Sequence, residues 1–269
     1  MPDRILVLIP CYNCAPQIPR VLAQFDSEAA RYVETILVLD NGSKDGTREA
    51  AMAAARKLPK LDIRVAQNRN NVNLGGSHKA AFRYALENGY THVLVLHGDD
   101  QGNVLDMLPV IQRGDHNRLD ACLGARFARG SKLLGYSTFR IFGNHVFNGF
   151  FTAGLGRRVQ DLGSGLNIFG TRVMRLPHLV QYADDLRFNI FLLMGMMREG
   201  LKTEFFPISW REDDQVSNVK MTSQAINTLK ILRDHIFSRS RFWQTDHRTV
   251  RHAEYRFDIL YPAPQKAAA

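Results

Sequence analysis

Asp99 and Asp100 stand close behind the apolar run VLVL at 93–96. A strand end holds a carboxylate between core and water, where oxygen ligands suit Mg2+ or Mn2+ bridging two phosphates. Taken alone, the pair reads as turn or helix-capping acids before Gly102, and its place beside three other polar loops turns the reading toward a metal site. Asp40 ends a second apolar run and opens DNGSKDGT (40–47). Its carboxylate could accept from a nucleobase imide while Gly42 and Gly46 bend the turn, and the same residues also make a good helix start. Tyr12, in PCYN (10–13), offers a ring for stacking on a base or for packing. Cys11 and Cys14 form C-x-x-C, but there is no second pair to complete a zinc site, and with Cys122 they cannot build a disulfide framework. No H-x-x-x-H occurs among the histidines; His97 alone is singled out, as a metal or phosphate neighbour or else a packed imidazole.

These residues need a frame. Ile5 to Ile9, Thr35 to Leu39, Leu61 to Ala66, His92 to Leu96 and Leu119 to Leu123 read as strands separated by amphipathic helices. That alternation predicts an α/β fold, a mostly parallel sheet covered on both faces, with ligands at the carboxyl ends of the strands. PCYN, DNGSKDGT and HGDDQ (97–101) follow the first, second and fourth strands, and NRNNVNLGGSH (68–78) follows the third and opens a helix over Lys79 to Glu87. Four loops therefore converge on one site. Beyond Gly130 come a Phe-rich helical region (139–155), a strand from Gly165 to Phe169, a helix from Phe188 to Arg198 and a strand from Thr203 to Ile208. Ile226, Leu229, Leu232 and Ile236 mark a last helix, and the polar tail behind it is expected to fray.

Composition bounds the function. With 45% hydrophobic and 23% charged residues over 269, the chain is globular, which excludes disorder, collagen and disulfide scaffolds. Thirty-five Lys and Arg against 26 Asp and Glu leave +9, which calls for an anionic partner: nucleic acid, phosphorylated ligand or membrane surface. No nucleic-acid module is recognisable and the basic tail lacks interleaved aromatics, so nucleic acid is set aside. A Rossmann dehydrogenase would carry G-x-G-x-x-G where PCYNCAP stands. The start MPDRILVLIP has no small-residue cleavage site, and no apolar run reaches the ~20 residues of a spanning helix, so a cytoplasmic protein is expected.

In order along residues 4 to 220, PCYN, LDNGSKDGT, NLGGSHKAA, LHGDDQ, GARF, Arg140 followed by Gly143–Asn144, DLGSGL and FFPISW resemble glycosyltransferase family 2, inverting enzymes of the GT-A fold, and within it the dolichol- and polyprenyl-phosphate sugar synthases. The resemblance implies a GT-A domain over 1–220, with a nucleotide-sugar half (1–125) and an acceptor half (126–220), and a helical, basic extension over 221–269. It places Pro10, Tyr12, Asn13 and Asp40 at the nucleotide, Gly75 and Lys79 near the donor, Asp99 and Asp100 among the groups that bind the donor and its cation, and Arg211 toward the pyrophosphate. The branch motif DxDxQ is matched at Asp99 and Gln101, while His97 replaces its first Asp, so Asp99, Gln101 and His97 are the implied ligands of Mg2+ or Mn2+. Arg126, Arg140 and Asn144 fall where acceptor phosphate is contacted, and Asp99, Asp161 and Arg126 are the implied catalytic groups. Leu166 and Asn167 stand where Phe and Arg are usual, and Asn218 where a Lys is usual, leaving Arg211 and Lys220 as substitutes. Glu212, Asp213 and Asp214 read as a solvated acidic loop.

The implied partners are a nucleoside diphosphate sugar and an acceptor, a lipid phosphate or a glycan. A phosphate attacks without a general base, whereas a hydroxyl would need one, for which Asp161, Asp184 and Asp185 are candidates. A sugar-nucleotide-binding protein with a degraded metal site is the non-enzymatic alternative. Phe139, Phe142, Val146 and Phe150 fall along one helical stripe near Arg140, Arg157 and Arg158, which predicts peripheral contact with anionic membrane unless the stripe is core.

Overall fold

Every residue of ILVLIPC, TILVLD and HVLVL is buried, which fits central strands covered on both faces. The computed structural model describes residues 3–25, 28–212, 221–250 and 255–262, with side chains of the helix Met221–Phe237 described from residue 225. Its strands are β1 (Ile5–Cys11), β2 (Thr35–Asp40), β3 (Ile63–Asn68), β4 (His92–Leu96), β5 (Ala121–Ala125), β6 (Lys132–Leu134), β7 (Leu166–Gly170), β8 (Thr203–Pro207), β9 (Ser209–Arg211) and β10 (Phe257–Tyr261). Eight form one sheet in the order β10-β3-β2-β1-β4-β7-β5-β8, in which β7 and β10 run against the other six.

Alternation along β1 divides the core. Ile5, Val7 and Ile9 pack on one face with Ile18, Val21, Leu22 and Ala51, while Leu6 and Leu8 face Phe82, Phe188 and Phe191. The helix Phe188–Arg198 is buried almost all round, as the apolar run Ile190–Met197 demands, and belongs to this second core. Among the described residues no helix is long and apolar enough to cross a membrane.

Two departures matter for the site. The helix expected from Lys79 begins at Asn73 instead, so the glycine pair lies inside its first turn. A Cβ on Gly75 would stand 2.6 Å from the carbonyl oxygen of Ala183, so only glycine lets this turn approach so closely. The second departure is β10: Phe257–Tyr261 pairs antiparallel with β3, so part of the basic extension completes an edge of the main sheet. The helix Met221–Phe237 packs on Thr138–Leu155, where a Cβ on Gly154 would meet Leu232 at 2.7 Å. Residues 263–269 and 213–220, with Asp213, Asp214, Asn218 and Lys220, lie outside the described residues.

Candidate active site

At the carboxyl ends of β1 and β2 two loops are zipped together. Asn13 donates its backbone N–H to Ser43 Oγ (2.8 Å) and accepts from the backbone of Lys44 (3.0 Å), and Cys14 donates to Thr47 Oγ1 (2.9 Å). Asp40 is fully buried and accepts from the backbone N–H groups of Gly42 (3.2 Å) and Ser43 (3.1 Å) and from the Ser43 hydroxyl. Its carboxylate therefore shapes the turn, with Gly42 at φ +87°. Tyr12 is 53% exposed on the same rim. The carbonyl of Pro10 accepts from Gly98 (3.1 Å), tying this loop to the one after β4. The C-x-x-C needs no redox role: both thiols are buried, and a Cβ on Gly98 would lie 2.5 Å from Cys11 Sγ.

Behind β4 the two aspartates part. Asp100, 3% exposed and at φ +61°, accepts from Arg20 Nε (2.6 Å), Gln24 Nε2 (3.0 Å) and the Arg211 guanidinium. Arg211 Nε also donates to the Asp100 carbonyl (2.7 Å), and the Arg211 backbone N–H to the Gln101 carbonyl (3.0 Å). Asp99 is half-buried and accepts from the Gln101 backbone (3.3 Å). His97 is held through its backbone N–H on the Gly165 carbonyl (3.0 Å), and its enclosed Nε2 has no hydrogen-bond partner. Burial and the nearby Arg126 push the imidazole down to about 4, so it is neutral with a lone pair available at pH 7. Carboxylate oxygens at Asp99 and an orphaned nitrogen at His97, one glycine apart, are a donor set that fits a divalent cation such as Mn2+.

Behind β5, Arg126 clamps Asp161: Nε (2.8 Å) and the backbone N–H (2.9 Å) reach Oδ2, and Nη2 reaches Oδ1 (2.7 Å). Its guanidinium stacks over the Trp210 ring at 5.2 Å. Arg140 lies over Tyr136 at 4.5 Å and donates both prongs to Glu212, the residue next to Arg211. Asn144 donates back to the Arg140 carbonyl one helical turn away (2.7 Å). Glu212, expected as a solvated loop acid, is thus a partner of the implied phosphate-binding arginine.

Lys79 is not brought to this crevice. Its ammonium is buried against Asp184 Oδ1 (2.7 Å), the Tyr182 carbonyl (2.6 Å) and the Tyr255 hydroxyl (3.3 Å). Asp184 Oδ2 accepts from the backbone of Thr249 (3.0 Å) and Val250 (2.9 Å), so this ion pair fastens the C-terminal segment to the core. Gly75 belongs to the same junction, its N–H 2.5 Å from the Asp184 carbonyl. Asp185 is occupied by Arg187 through Nε (2.9 Å) and NH2 (2.8 Å). Sequence reasoning passed over Arg20 and Gln24, although their i, i+4 spacing on the first helix was a usable signal for one shared face.

The model of the glycosyl transferase family 2 matches residues 6–183. An undecaprenyl-phosphate mannosyltransferase of Micrococcus luteus is 27% identical over 64% of this chain and 68% of its own. A polyprenol monophosphomannose synthase of Mycolicibacterium smegmatis is 23% identical over 78% of each. Among solved structures, glucosyl-3-phosphoglycerate synthase of Mycobacterium tuberculosis in complex with UDP superposes with a TM-score of 0.62 at 16% identity, covering 87% of this chain and 80% of that one. The same enzyme has been solved with Mn2+, UDP and glucosyl-3-phosphoglycerate, with a TM-score of 0.62 at 15% identity over 88% and 80%. The fold is the expected GT-A arrangement, and the chain belongs to glycosyl transferase family 2.

Proposed function

We propose that this protein transfers a sugar, with inversion, from a nucleoside diphosphate sugar to a polyprenyl-type phosphate. The observation that carries the choice of acceptor is the state of the three carboxylates that could serve as a base. Asp161 receives three N–H groups of Arg126 and one from Gly163, Asp184 receives Lys79, Tyr255 and two backbone N–H groups, and Asp185 receives Arg187. None is poised to take a proton from a hydroxyl. A phosphate monoester needs no base, because with a second pKa near ~6 it is mostly dianionic at neutral pH. The names of the relatives, which act on undecaprenyl phosphate or make polyprenol monophosphomannose, support the same acceptor class.

In this account an acceptor phosphate oxygen attacks the anomeric carbon, and the bond from that carbon to the donor diphosphate breaks, its electron pair leaving with the nucleoside diphosphate. Asp99 and His97 would hold the divalent cation, which supplies charge neutralisation for the leaving diphosphate. Asp40 shapes the turn beside the nucleotide, and Tyr12 offers its exposed ring to the base. Arg140 receives the acceptor phosphate by a bidentate contact in place of Glu212, and Arg126 adds a fixed positive charge over Trp210.

Membrane contact belongs to the same proposal. Phe139, Phe142 and Phe150 are 78%, 67% and 52% exposed, and Val146 joins them on one stripe. Ile226, Leu229, Ile236 and Phe237 of the helix packed alongside are exposed too, so two neighbouring helices present apolar side chains to the outside. Such a surface, with Arg157 and Arg158 nearby, suits the headgroup boundary of an anionic bilayer. Nucleoside diphosphate hexoses incubated with Mn2+ and a short prenyl phosphate, with mass detection of a glycosylated prenyl phosphate, test the reading; donor consumption that is independent of the prenyl phosphate would count against it.

A further inference from the structure

Sugar transfer makes no use of three side chains gathered at the other end of the sheet. Asp3 precedes β1, His92 opens β4, and His116 lies on the short helix Asp115–Arg118 just before β5. All three stand at the amino ends of strands whose carboxyl ends form the crevice. One ligating atom from each lies within 4.8 Å of the other two. His116 Nε2 is 2.9 Å from Asp3 Oδ2, and the two imidazole rings are 4.9 Å apart at 67°.

We infer that Asp3, His92 and His116 form a transition-metal site, distinct from the crevice, that takes Zn2+ or a related d-block cation. The donor set is two imidazoles and one carboxylate, the chemistry of Zn2+, Co2+ or Ni2+ rather than of Mg2+, which asks for six oxygens. Bonds of about 2.0–2.2 Å to a tetrahedral ion place neighbouring ligand atoms about 3.3–3.6 Å apart, inside the 4.8 Å span the three residues already occupy.

Both histidines are enclosed, at 7% and 3% exposure, and His116 Nδ1 is buried with no hydrogen-bond partner. His92 is already oriented, with Nε2 3.0 Å from the His116 carbonyl and Nδ1 2.9 Å from Thr91 Oγ1. A backbone carbonyl on the second nitrogen is the usual support of a ligating histidine, and coordination releases one of the two contacts. Asp3 is more open, its side chain 37% exposed, which leaves a face for entry and a fourth, water ligand. Bound there, an ion would pin the segment before β1 to the starts of β4 and β5, stabilising the fold by linkage without touching the reacting atoms.

The test is Zn2+ and Co2+ titration of the untagged full chain in excess Mg2+, read by a competing chromophoric chelator and by Co2+ ligand-field absorption. Wild type, Asp3→Asn, His116→Gln and Asp99→Asn are compared. The expected result is one equivalent in wild type and Asp99→Asn, a loss of about tenfold or more in affinity in Asp3→Asn, and no four-coordinate Co2+ spectrum in His116→Gln. Asp3 is exposed enough that its variant keeps the metal-free melting temperature, which separates lost ligation from misfolding. Absence of binding in wild type, undiminished binding in Asp3→Asn, or loss in Asp99→Asn instead would overturn the assignment.

Discussion

The guanidinium of Arg140 donates to both oxygens of Glu212, one prong at 3.0 Å. The residue before Glu212, Arg211, grips the carboxylate and carbonyl of Asp100, so one dipeptide bridges the loop after β4 and the helix Thr138–Leu155. An acceptor phosphate must displace Glu212 to use Arg140.

Arg140→Ala should raise the KM for prenyl phosphate about 10- to 100-fold, the scale of one charge-assisted contact, and leave the donor dissociation constant within about twofold. Arg140→Lys should recover only part of this, because a point charge cannot reproduce a fork. Glu212→Gln should lower that KM, since the competing anion is gone. Steady-state kinetics with calorimetric donor titration separates the effects, and a donor affinity that falls in step with acceptor use would remove Arg140 from the acceptor.

The two aspartates behind β4 should behave oppositely. Asp99→Ala should cut metal-dependent turnover by about 100-fold or more with an unchanged melting temperature. Asp100→Ala leaves Arg20 and Arg211 facing each other without their buried anion, at a cost of about 1–3 kcal/mol, softened by the partial exposure of both guanidinium groups, and a fall in melting temperature of a few degrees. Turnover and melting curves on the pair decide. Full activity in Asp99→Ala would show that the ion, if needed, sits elsewhere.

His97 and His78 are pushed down by burial to about 4 and about 3, from an unfolded value of 6.5. Between these values and 6.5 the unfolded chain binds more protons than the folded one, so stability is full above pH 6.5 and is lost as pH falls toward 4. Chelator-treated protein melted between pH 4 and 7 should show this slope, and His97→Asn should remove one proton's share of it. An unchanged slope in that variant would mean that His97 is already protonated in the fold.

Much of this was legible in the sequence, for physical reasons. The runs at 5–9, 35–39 and 92–96 are apolar on both faces and bounded by polar turns, so both their strand character and their parallel order could be read. β10 could not be: in FDILY only Asp258 interrupts an apolar run, and this edge strand pairs in the sheet with β3 alone, far away in sequence. Lys79 lies one helical turn after Gly75 and therefore on the same helix face, and that face turns to the core at Asp184, a tertiary partner the local sequence does not announce. The division of labour between Asp99 and Asp100 was equally hidden, because Arg20 and Arg211 come to Asp100 from distant parts of the chain.

The apolar stripe, by contrast, was legible as a stripe, and among the described residues Phe139, Phe142 and Phe150 are more than half exposed. Co-sedimentation with liposomes should show binding to anionic vesicles that weakens with salt and is strongly reduced by the triple change Phe139→Ser, Phe142→Ser and Phe150→Ser, with a melting temperature unchanged because these side chains stand outside the core. Equal sedimentation of wild type and variant would assign the stripe another role.

The central claim, transfer to a phosphate without a general base, is tested most directly by a pair of acceptors that differ in one group. A short-chain prenyl phosphate and the corresponding prenyl alcohol are offered at equal concentration with Mn2+ and each nucleoside diphosphate hexose, and glycosylated product is followed over time. The account predicts product from the phosphate alone, at a rate insensitive to Asp185→Asn. Transfer to the alcohol with none to the phosphate would contradict it and return the carboxylates Asp161, Asp184 and Asp185 to the role of base.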